Sequence, residues 1–206
     1  RVRCMPARTR GLIVGILLAA GAGSRFGGGK LLARLADDRG VAETACARLL
    51  PAVDRVVAVV PAQPGALEDA LRAAGAEVVR CDTEAPGMGV SIACGVSASA
   101  DAAGWLVALG DMPLVPTSQH RVVADALRAG ADIAAPVCQG RRGHPVGFAA
   151  RFGDELRALD GDEGARAVLA RHREALLELV VDDDAGWQDI DTPSDLAAVN
   201  RRLGRP

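Results

Sequence analysis

The sequence predicts a three-layer α/β/α domain with a mostly parallel sheet, and three observations lead to that fold class. Short apolar runs of the length of buried strands recur along the chain. Segments with helical spacing separate these runs, and glycine or proline marks most of the boundaries. After Pro136 the pattern changes, because residues 138–148 are typical of a hairpin rather than of another strand and helix. The C-terminal third is therefore expected to form a small hairpin and helical subdomain.

The elements follow one another in a regular order. Strands are predicted over residues 12–19, 55–60, 76–80, 104–109 and 132–136, with helices over 41–50, 65–74, 88–98 and 117–129. The hairpin is followed by short helices over 151–159 and 163–172, a strand over 176–181, and a terminal helix that starts at Pro193 with Thr192 or Asp191 as its cap. Right-handed crossovers bring the carboxyl ends of parallel strands to one edge of a sheet, where ligands bind.

Composition limits the classes of function. The chain has 206 residues, enough for one domain with a substantial core. Its formal net charge is -2, aromatic residues make up 2% and tyrosine is absent, which argues against nucleic-acid binding. Residues 1–10 are expected to be a flexible basic tail. Residues 1–22 imitate a secretory signal, but cleavage there would remove the first strand, so we expect a cytoplasmic protein that does not enter a membrane.

Cysteine usage indicates no zinc site. The five cysteines have no C-x-x-C pair and no histidine at zinc spacing. We expect buried or incidental thiols in a reducing compartment.

A glycine-rich loop follows the first strand and carries Arg25 and Lys30. Glycines let backbone N–H groups surround an anion, and the two cations supply countercharge, so the loop predicts polyphosphate binding. Lys30 is the only lysine among 24 lysines and arginines. The choice of lysine over arginine here indicates a site that accommodates a compact ammonium better than a planar guanidinium.

Two common glycine loops do not match this segment. In the P-loop pattern, Ser24 would replace the first glycine and Leu31 the serine or threonine that holds Mg²⁺. In the dinucleotide fingerprint, Phe26 would replace the third glycine, and the second strand ends without an acid for a ribose. Both of these functions are therefore disfavoured.

The segment instead resembles the N-terminal signature of the MobA-like nucleotidyltransferases. The match is G-x-G-x-R-x-G-x-x-K, and LAAG at Leu18 to Gly21 is similar to the molybdenum cofactor cytidylyltransferase branch, whereas the guanylyltransferase branch usually carries LAGG. The resemblance continues in order through GMGVS (87–91), LGDMPLV (109–115), GHPVGF (143–148), GDEGAR (161–166) and DIDTPSDL (189–196). It implies a Rossmann-like three-layer nucleotidyltransferase fold over residues 11–204, with a nucleotide-binding part (11–136), an acceptor-binding part (137–181) and a metal-ligand loop with the C-terminal helix (182–204).

The resemblance also implies roles for particular residues. Arg25, Lys30 and Asp111 would be catalytic, and Asp111 and Asp191 would hold Mg²⁺, with Asp189 in support. His144 and Arg166 would contact the acceptor. The nucleotide would be bound by Leu18, Ala19, Ala20, Gly21, Gly23, Arg25, Lys30, Gly87, Gly89 and Ser91.

Five of these residues also have a purely structural interpretation. Asp111 could form a turn, Asp191 could cap the last helix, and Ser91 could belong only to a helix start. His144 could be a turn residue and Arg166 a solvated helix residue. These alternatives remain open at the level of the sequence.

The function implied is Mg²⁺-dependent transfer of a nucleoside monophosphate from an NTP to a phosphate-bearing acceptor. In the cytidylyltransferase branch the substrates would be CTP and molybdopterin, with a molybdoenzyme maturation chaperone as a possible partner. Rivals are guanylyl transfer to molybdopterin and cytidylyl or uridylyl transfer to a sugar or methylerythritol phosphate. An alternative from a different functional class is a regulatory module that binds a nucleotide but has no enzymatic activity. A glycosyltransferase is disfavoured because Met112 and Pro113 follow Asp111 where an Asp-x-Asp would be expected.

Overall fold

A computed structural model describes residues 11–21, 23–63, 65–81 and 87–204. Within these ranges the strands are β1 (Ile13–Leu18), β2 (Arg55–Pro61), β3 (Glu77–Cys81), β4 (Gly104–Leu109), β5 (Ile133–Cys138), β6 (Arg141–Arg142), β7 (Val146–Ala149) and β8 (Leu176–Val180). The α-helices are α1 (Val41–Leu49), α2 (Ala66–Ala73), α3 (Met88–Ser97), α4 (Thr117–Arg128), α5 (Gly153–Arg157), α6 (Arg166–Arg171) and α7 (Pro193–Leu203). The predicted basic tail at residues 1–10 lies outside the described residues.

The strands form one eight-stranded sheet that is mostly parallel. Its order is β3-β2-β1-β4-β7-β5, with β6 and β8 both paired to β5. The antiparallel strand β7 lies between β4 and β5, so that β5 and β8 run parallel to β4. The carboxyl ends of β1, β4, β5 and β8 therefore lie at one edge of the sheet. The predicted hairpin is confirmed, since β5 and β6 pair antiparallel across a turn at Gln139 and Gly140.

Two cores, one on each face of the sheet, confirm the three-layer fold. Alternate residues of β1 illustrate the arrangement, because Leu17 belongs to the core under α1, α2, α4 and α7, whereas Ile16 belongs to the core under α3, α5 and α6. Both side chains are fully buried. This alternation is the period-2 pattern of a strand covered on both sides.

The helices of the C-terminal third are shorter than predicted. Residues 150–152 form a 3₁₀ turn before α5, and α6 starts only at Arg166. Gly161 and Gly164 have φ of 56° and 58°, a left-handed conformation that a helix cannot contain. The segment before α6 is therefore a turn, although its sequence has helical spacing.

The expectation of free thiols is wrong for one pair of cysteines. Cys81 at the end of β3 and Cys94 in α3 form a disulfide, with Cα atoms 6.0 Å apart across a sequence separation of 13 residues. The pair meets because α3 packs beside β3, which the cysteine spacing does not reveal. Cys46 and Cys138 are buried free thiols, as expected. Burial raises the pKa of Cys46 to about 11, so this thiol is unreactive at neutral pH.

We expect protonation of His120 to make stability fall in acid. Burial in α4 and, less strongly, the charge of Arg48 lower the pKa of His120 from 6.5 to about 4. The unfolded chain therefore binds a proton that the folded protein excludes, and stability present above pH 6.5 is lost as the pH falls from 6.5 to 4. The free energy of unfolding should be about 2 kcal/mol lower at pH 5 than at pH 7 through this residue alone. Urea denaturation at both pH values tests this, and an unchanged pH dependence in His120→Gln would contradict it.

None of the helices formed by the described residues combines the length and the apolar character needed to cross a membrane.

Candidate active site

The glycine-rich loop leaves β1 and returns the chain to the sheet edge through left-handed turns. Gly23, Gly27, Gly28 and Gly29 all have positive φ, from 59° to 96°. The N–H groups of Phe26 and Gly28 donate to the carbonyl of Gly23, which closes the loop. These conformations explain the run of glycines, because other residues adopt them at a cost. Lys30 follows directly in a short 3₁₀ turn.

Lys30 joins the two carboxylates at the centre of the site. Its Nζ donates to Asp111 Oδ2 at 2.7 Å and to Asp191 Oδ1 at 2.9 Å. The lysine side chain is only 9% exposed, and both carboxylates are half-buried. Arg25, which is 75% exposed, forms an ion pair with Asp191 Oδ2 at 2.8 Å. Three segments that are far apart in sequence therefore converge on one cluster of charges.

The ammonium of Lys30 remains charged despite its burial. Burial lowers the pKa of Lys30, but the hydrogen bonds and charges of Asp111 and Asp191 outweigh it, and the pKa is raised above its ordinary value. Lys30 is therefore a permanent positive charge at the carboxyl ends of β1 and β4.

Asp191 is held in place by the residues on either side of it. Ile190 is fully buried, and its N–H donates to the carbonyl of Asp111 at 3.0 Å. Thr192 is the N-cap of α7 and forms a capping box with Asp195. Of the two predicted caps, Thr192 has this role, which leaves the Asp191 side chain for the charge cluster.

The charge cluster lies in a cleft of about 500 Å³, a volume in the range of small-molecule sites. Nine of the predicted site residues line it: Leu18, Ala20, Gly21, Arg25, Lys30, Gly87, Ser91, Asp111 and Asp191. Asp189 lines it too. Ala19 is instead buried in the core, and Gly23 lies beside the stem of Lys30, where a Cβ would be 3.2 Å from Lys30 Cγ.

The glycines of GMGVS bring α3 against the backbone of residues 160–161. A Cβ on Gly87 would lie 2.3 Å from the Gly161 carbonyl oxygen, and one on Gly89 would lie 2.2 Å from the Asp160 carbonyl oxygen. The Gly89 N–H donates to Gly161. Close packing of two motifs thus accounts for both glycines, although only Gly87 lines the cleft. The Ser91 hydroxyl donates to the carbonyl of Gly87 at 3.0 Å, four residues earlier, as a serine inside a helix commonly does.

The two predicted acceptor residues lie outside this cleft. His144 is partly buried beside β4, where burial lowers its pKa while a hydrogen bond to the Val107 backbone and the charge of Asp111 oppose the change. Its Nδ1 is buried without a hydrogen-bond partner among the described residues. Arg166 lines a second concavity at the start of α6.

Sequence reasoning missed two polar or flexible residues of the cleft. Met88 and Asp162 both line it. Met88 lies beside Gly164, and Asp162 lies beside Gly87. Met88 belongs to GMGVS and Asp162 to GDEGAR, and these motifs of the family resemblance are the sequence signal that could have identified both residues.

The charges of the cleft favour a cation as a companion of any bound polyphosphate. Among the described residues, its lining has two cationic and four carboxylate side chains, namely Arg25, Lys30, Asp111, Asp162, Asp189 and Asp191. A triphosphate alone would be repelled by this excess of negative charge. The described residues contain no group of three or more side chains able to cage a metal. Two carboxylates without a cage fit a divalent ion such as Mg²⁺, which shares its coordination with substrate phosphates and water.

Comparison with known proteins identifies the family of the chain. Residues 15–176 match the model of the MobA-like NTP transferase domain. No curated protein has a significant sequence match to the chain.

Solved structures share the fold over nearly the whole chain. Rv0371c from Mycobacterium tuberculosis H37Rv is 28% identical with a TM-score of 0.77, covering 94% of this chain and 99% of that chain. A second structure of Rv0371c is a complex with manganese, at 28% identity and a TM-score of 0.70 over 92% of this chain and 98% of that chain.

Two more distant structures are similar in fold alone. A nucleotidyl transferase from Methanothermobacter (Mth528) is 24% identical, with a TM-score of 0.78 over 93% of this chain and 97% of that chain. The molybdopterin-guanine dinucleotide biosynthesis protein A from Archaeoglobus fulgidus is 20% identical, with a TM-score of 0.71 over 92% of this chain and 98% of that chain. With a family match over most of its length and this common fold, the chain belongs to the MobA-like NTP transferase family and is a nucleotidyltransferase.

Proposed function

We propose that the protein transfers CMP from CTP to the terminal phosphate of molybdopterin and releases pyrophosphate. The observation that carries this proposal is the convergence of Lys30 with Asp111 and Asp191 at the mouth of the glycine-rich loop. That arrangement supplies a cation that can bind phosphate oxygens and two carboxylates that can bind a metal. Phosphoryl and nucleotidyl transfer require both kinds of group.

The residues of this chain act by positioning and by charge. Arg25 and Lys30 would bind the phosphates of the NTP, with Lys30 able to exchange a carboxylate oxygen for a phosphate oxygen without losing its charge. The acceptor phosphate then attacks the α-phosphorus while the bond to pyrophosphate breaks. A phosphate monoester has a second pKa of about 6, so it is mostly a dianion at neutral pH and needs no general base. This explains why no histidine lines the cleft among the described residues.

Asp111 and Asp191 would hold a divalent metal, a proposal supported by the structure of the relative Rv0371c in complex with manganese. When bound, the metal neutralises charge on the reacting phosphates. We propose Mg²⁺ as this metal, because the ligands are hard oxygens and the protein supplies few of them.

The preference for CTP is supported by Ala20. This residue lines the cleft and stands where the guanylyltransferase branch usually carries glycine. A methyl group there reduces the space available to the nucleotide and favours the smaller pyrimidine base over a purine. Guanylyl transfer to molybdopterin is the nearest alternative, followed by cytidylyl or uridylyl transfer to a sugar or methylerythritol phosphate.

A pyrophosphate-release assay tests the proposal. Each of the four NTPs is offered with Mg²⁺ and purified molybdopterin, with a sugar phosphate or with methylerythritol phosphate. We expect release only with CTP and molybdopterin. Release with GTP would overturn the base assignment, and release only with another phosphate would overturn the acceptor. NTP binding without release under any condition would indicate a regulatory module.

A further inference from the structure

A second concavity of about 280 Å³ lies in the C-terminal third of the chain. We call it the arginine pocket after three of its residues, Arg142, Arg166 and Arg173. Its remaining lining residues are Leu169, Ala170, Leu176 and Glu178. An apolar wall beside three guanidinium groups suits an anionic group attached to a small organic body.

The sheet places the arginine pocket on one face and near the same edge as the active site. Arg142 in β6 is opposite Val137, and Glu178 in β8 is opposite Ala135, two residues away in β5. Because residues opposite one another share a face, Arg142 and Glu178 lie on the same side of the sheet. Val137 is near the carboxyl end of β5, which lies at the same edge as the carboxyl end of β4 before Asp111.

The three arginines of the arginine pocket have no carboxylate partners among the described residues. Their neighbours in sequence do, since Arg141 pairs with Asp184 at 3.1 Å and Arg171 pairs with Glu155. Isolated guanidinium groups that face one concavity repel one another, and an oxyanion held by bidentate hydrogen bonds would relieve that repulsion. Glu178 offsets only one of the three charges.

The arginine pocket is within reach of the catalytic cleft. Asp162 lines the cleft and Arg166 lines the pocket, and four residue steps span at most about 14 Å. A small acceptor could therefore extend from one concavity to the other.

We propose that the arginine pocket binds a second anionic group of the acceptor, remote from the phosphate that attacks the NTP. This inference rests on the proposed function and deepens it. It selects acceptors with negative charge at both ends of a small molecule and excludes simple monophosphates with a neutral remainder. Arg142 and Arg173 then act in acceptor binding together with Arg166.

The test uses inorganic phosphate as the probe, titrated calorimetrically into the full chain with the cleft filled by CTP and Mg²⁺. We expect one saturable site, and the double variant Arg142→Gln/Arg173→Gln should weaken it by about tenfold or more, because charge-assisted hydrogen bonds are lost. The matched control is Arg141→Gln/Arg171→Gln, which removes the same charge from neighbouring arginines that already have partners and should bind phosphate normally.

A kinetic comparison of the same variants completes the test. The pocket variant should raise KM for the acceptor identified by pyrophosphate release, while kcat and KM for CTP stay within about twofold of the unmodified protein. Absence of a saturable phosphate site, equal weakening in the control, or an unchanged acceptor KM would each overturn the proposal while leaving the transferase function intact. Normal phosphate binding without pyrophosphate release from any acceptor would instead refute the proposed function.

Discussion

Lys30→Met should lower kcat for nucleotidyl transfer by about a hundredfold or more, since loss of one preorganised charge-stabilising donor has that effect in other enzymes. Methionine keeps an unbranched stem beside Gly23 but lacks the ammonium that contacts Asp111 and Asp191. Pyrophosphate release under saturating NTP measures the change. Lys30→Arg should not restore full activity, because the buried site accommodates a compact ammonium rather than a planar fork.

Arg39→Ala is the matched control for this loss of charge. Arg39 is exposed, pairs with Asp37 at 3.2 Å and lies outside the cleft lining. Its removal should leave kcat within about twofold, as is usual for an exposed ion pair. Near-normal turnover by Lys30→Met would refute the role of Lys30 in catalysis. An equal loss of kcat in Arg39→Ala would show that the effect of Lys30→Met comes only from the change in net charge.

Asp111→Asn should also lower kcat by about a hundredfold or more, but because the metal is bound less tightly. Asparagine has nearly the same shape but carries no charge, so one of two anionic ligands is lost. Binding of Mg²⁺ with CTP, measured by calorimetry, should weaken by about tenfold or more. Lys30→Met should weaken binding of CTP, because Lys30 binds its phosphates, but it should not weaken binding of Mg²⁺ measured alone, because the lost ammonium contacts the same carboxylates.

Asp125→Asn serves as the control for the carboxylate variant. Asp125 is 62% exposed on α4 and pairs with Arg128 at 3.2 Å. Metal affinity and turnover should be unchanged in this variant. If Asp111→Asn retained both its metal affinity and its turnover, Asp111 would be only the turn residue that the sequence alone also allowed.

The centre of the site could be predicted from the sequence, because its signals are local. Lys30 is the only lysine and lies in a glycine loop, and Asp111 follows an apolar run directly. The rule that parallel strands end at one edge then brings these residues together. Asp191 required the resemblance to a family, since its other local role as a helix cap was equally consistent with the sequence.

Features that depend on how distant segments pack could not be predicted. The disulfide between Cys81 and Cys94 depends on α3 lying beside β3. Gly89 was assigned to nucleotide contact, yet its lack of a side chain is required by the Asp160 carbonyl oxygen. No local pattern distinguishes Arg142 and Arg173 in a chain rich in arginine, and the pairing of β5 with both β6 and β8 brings Arg142 near the segment that holds Arg166 and Arg173.

The antiparallel strand β7 has a consequence for how substrates are enclosed. It hydrogen bonds to β4 on one side and to β5 on the other. The strands that support the two concavities thus form one continuous ladder and cannot swing apart like the lobes of a hinged enzyme without breaking these bonds. Closure over bound substrates must therefore come from the segments that connect the strands and helices, and not from the sheet itself. When nucleotide is added, amide hydrogen exchange should slow in these connecting segments and should not change in β4 or β7.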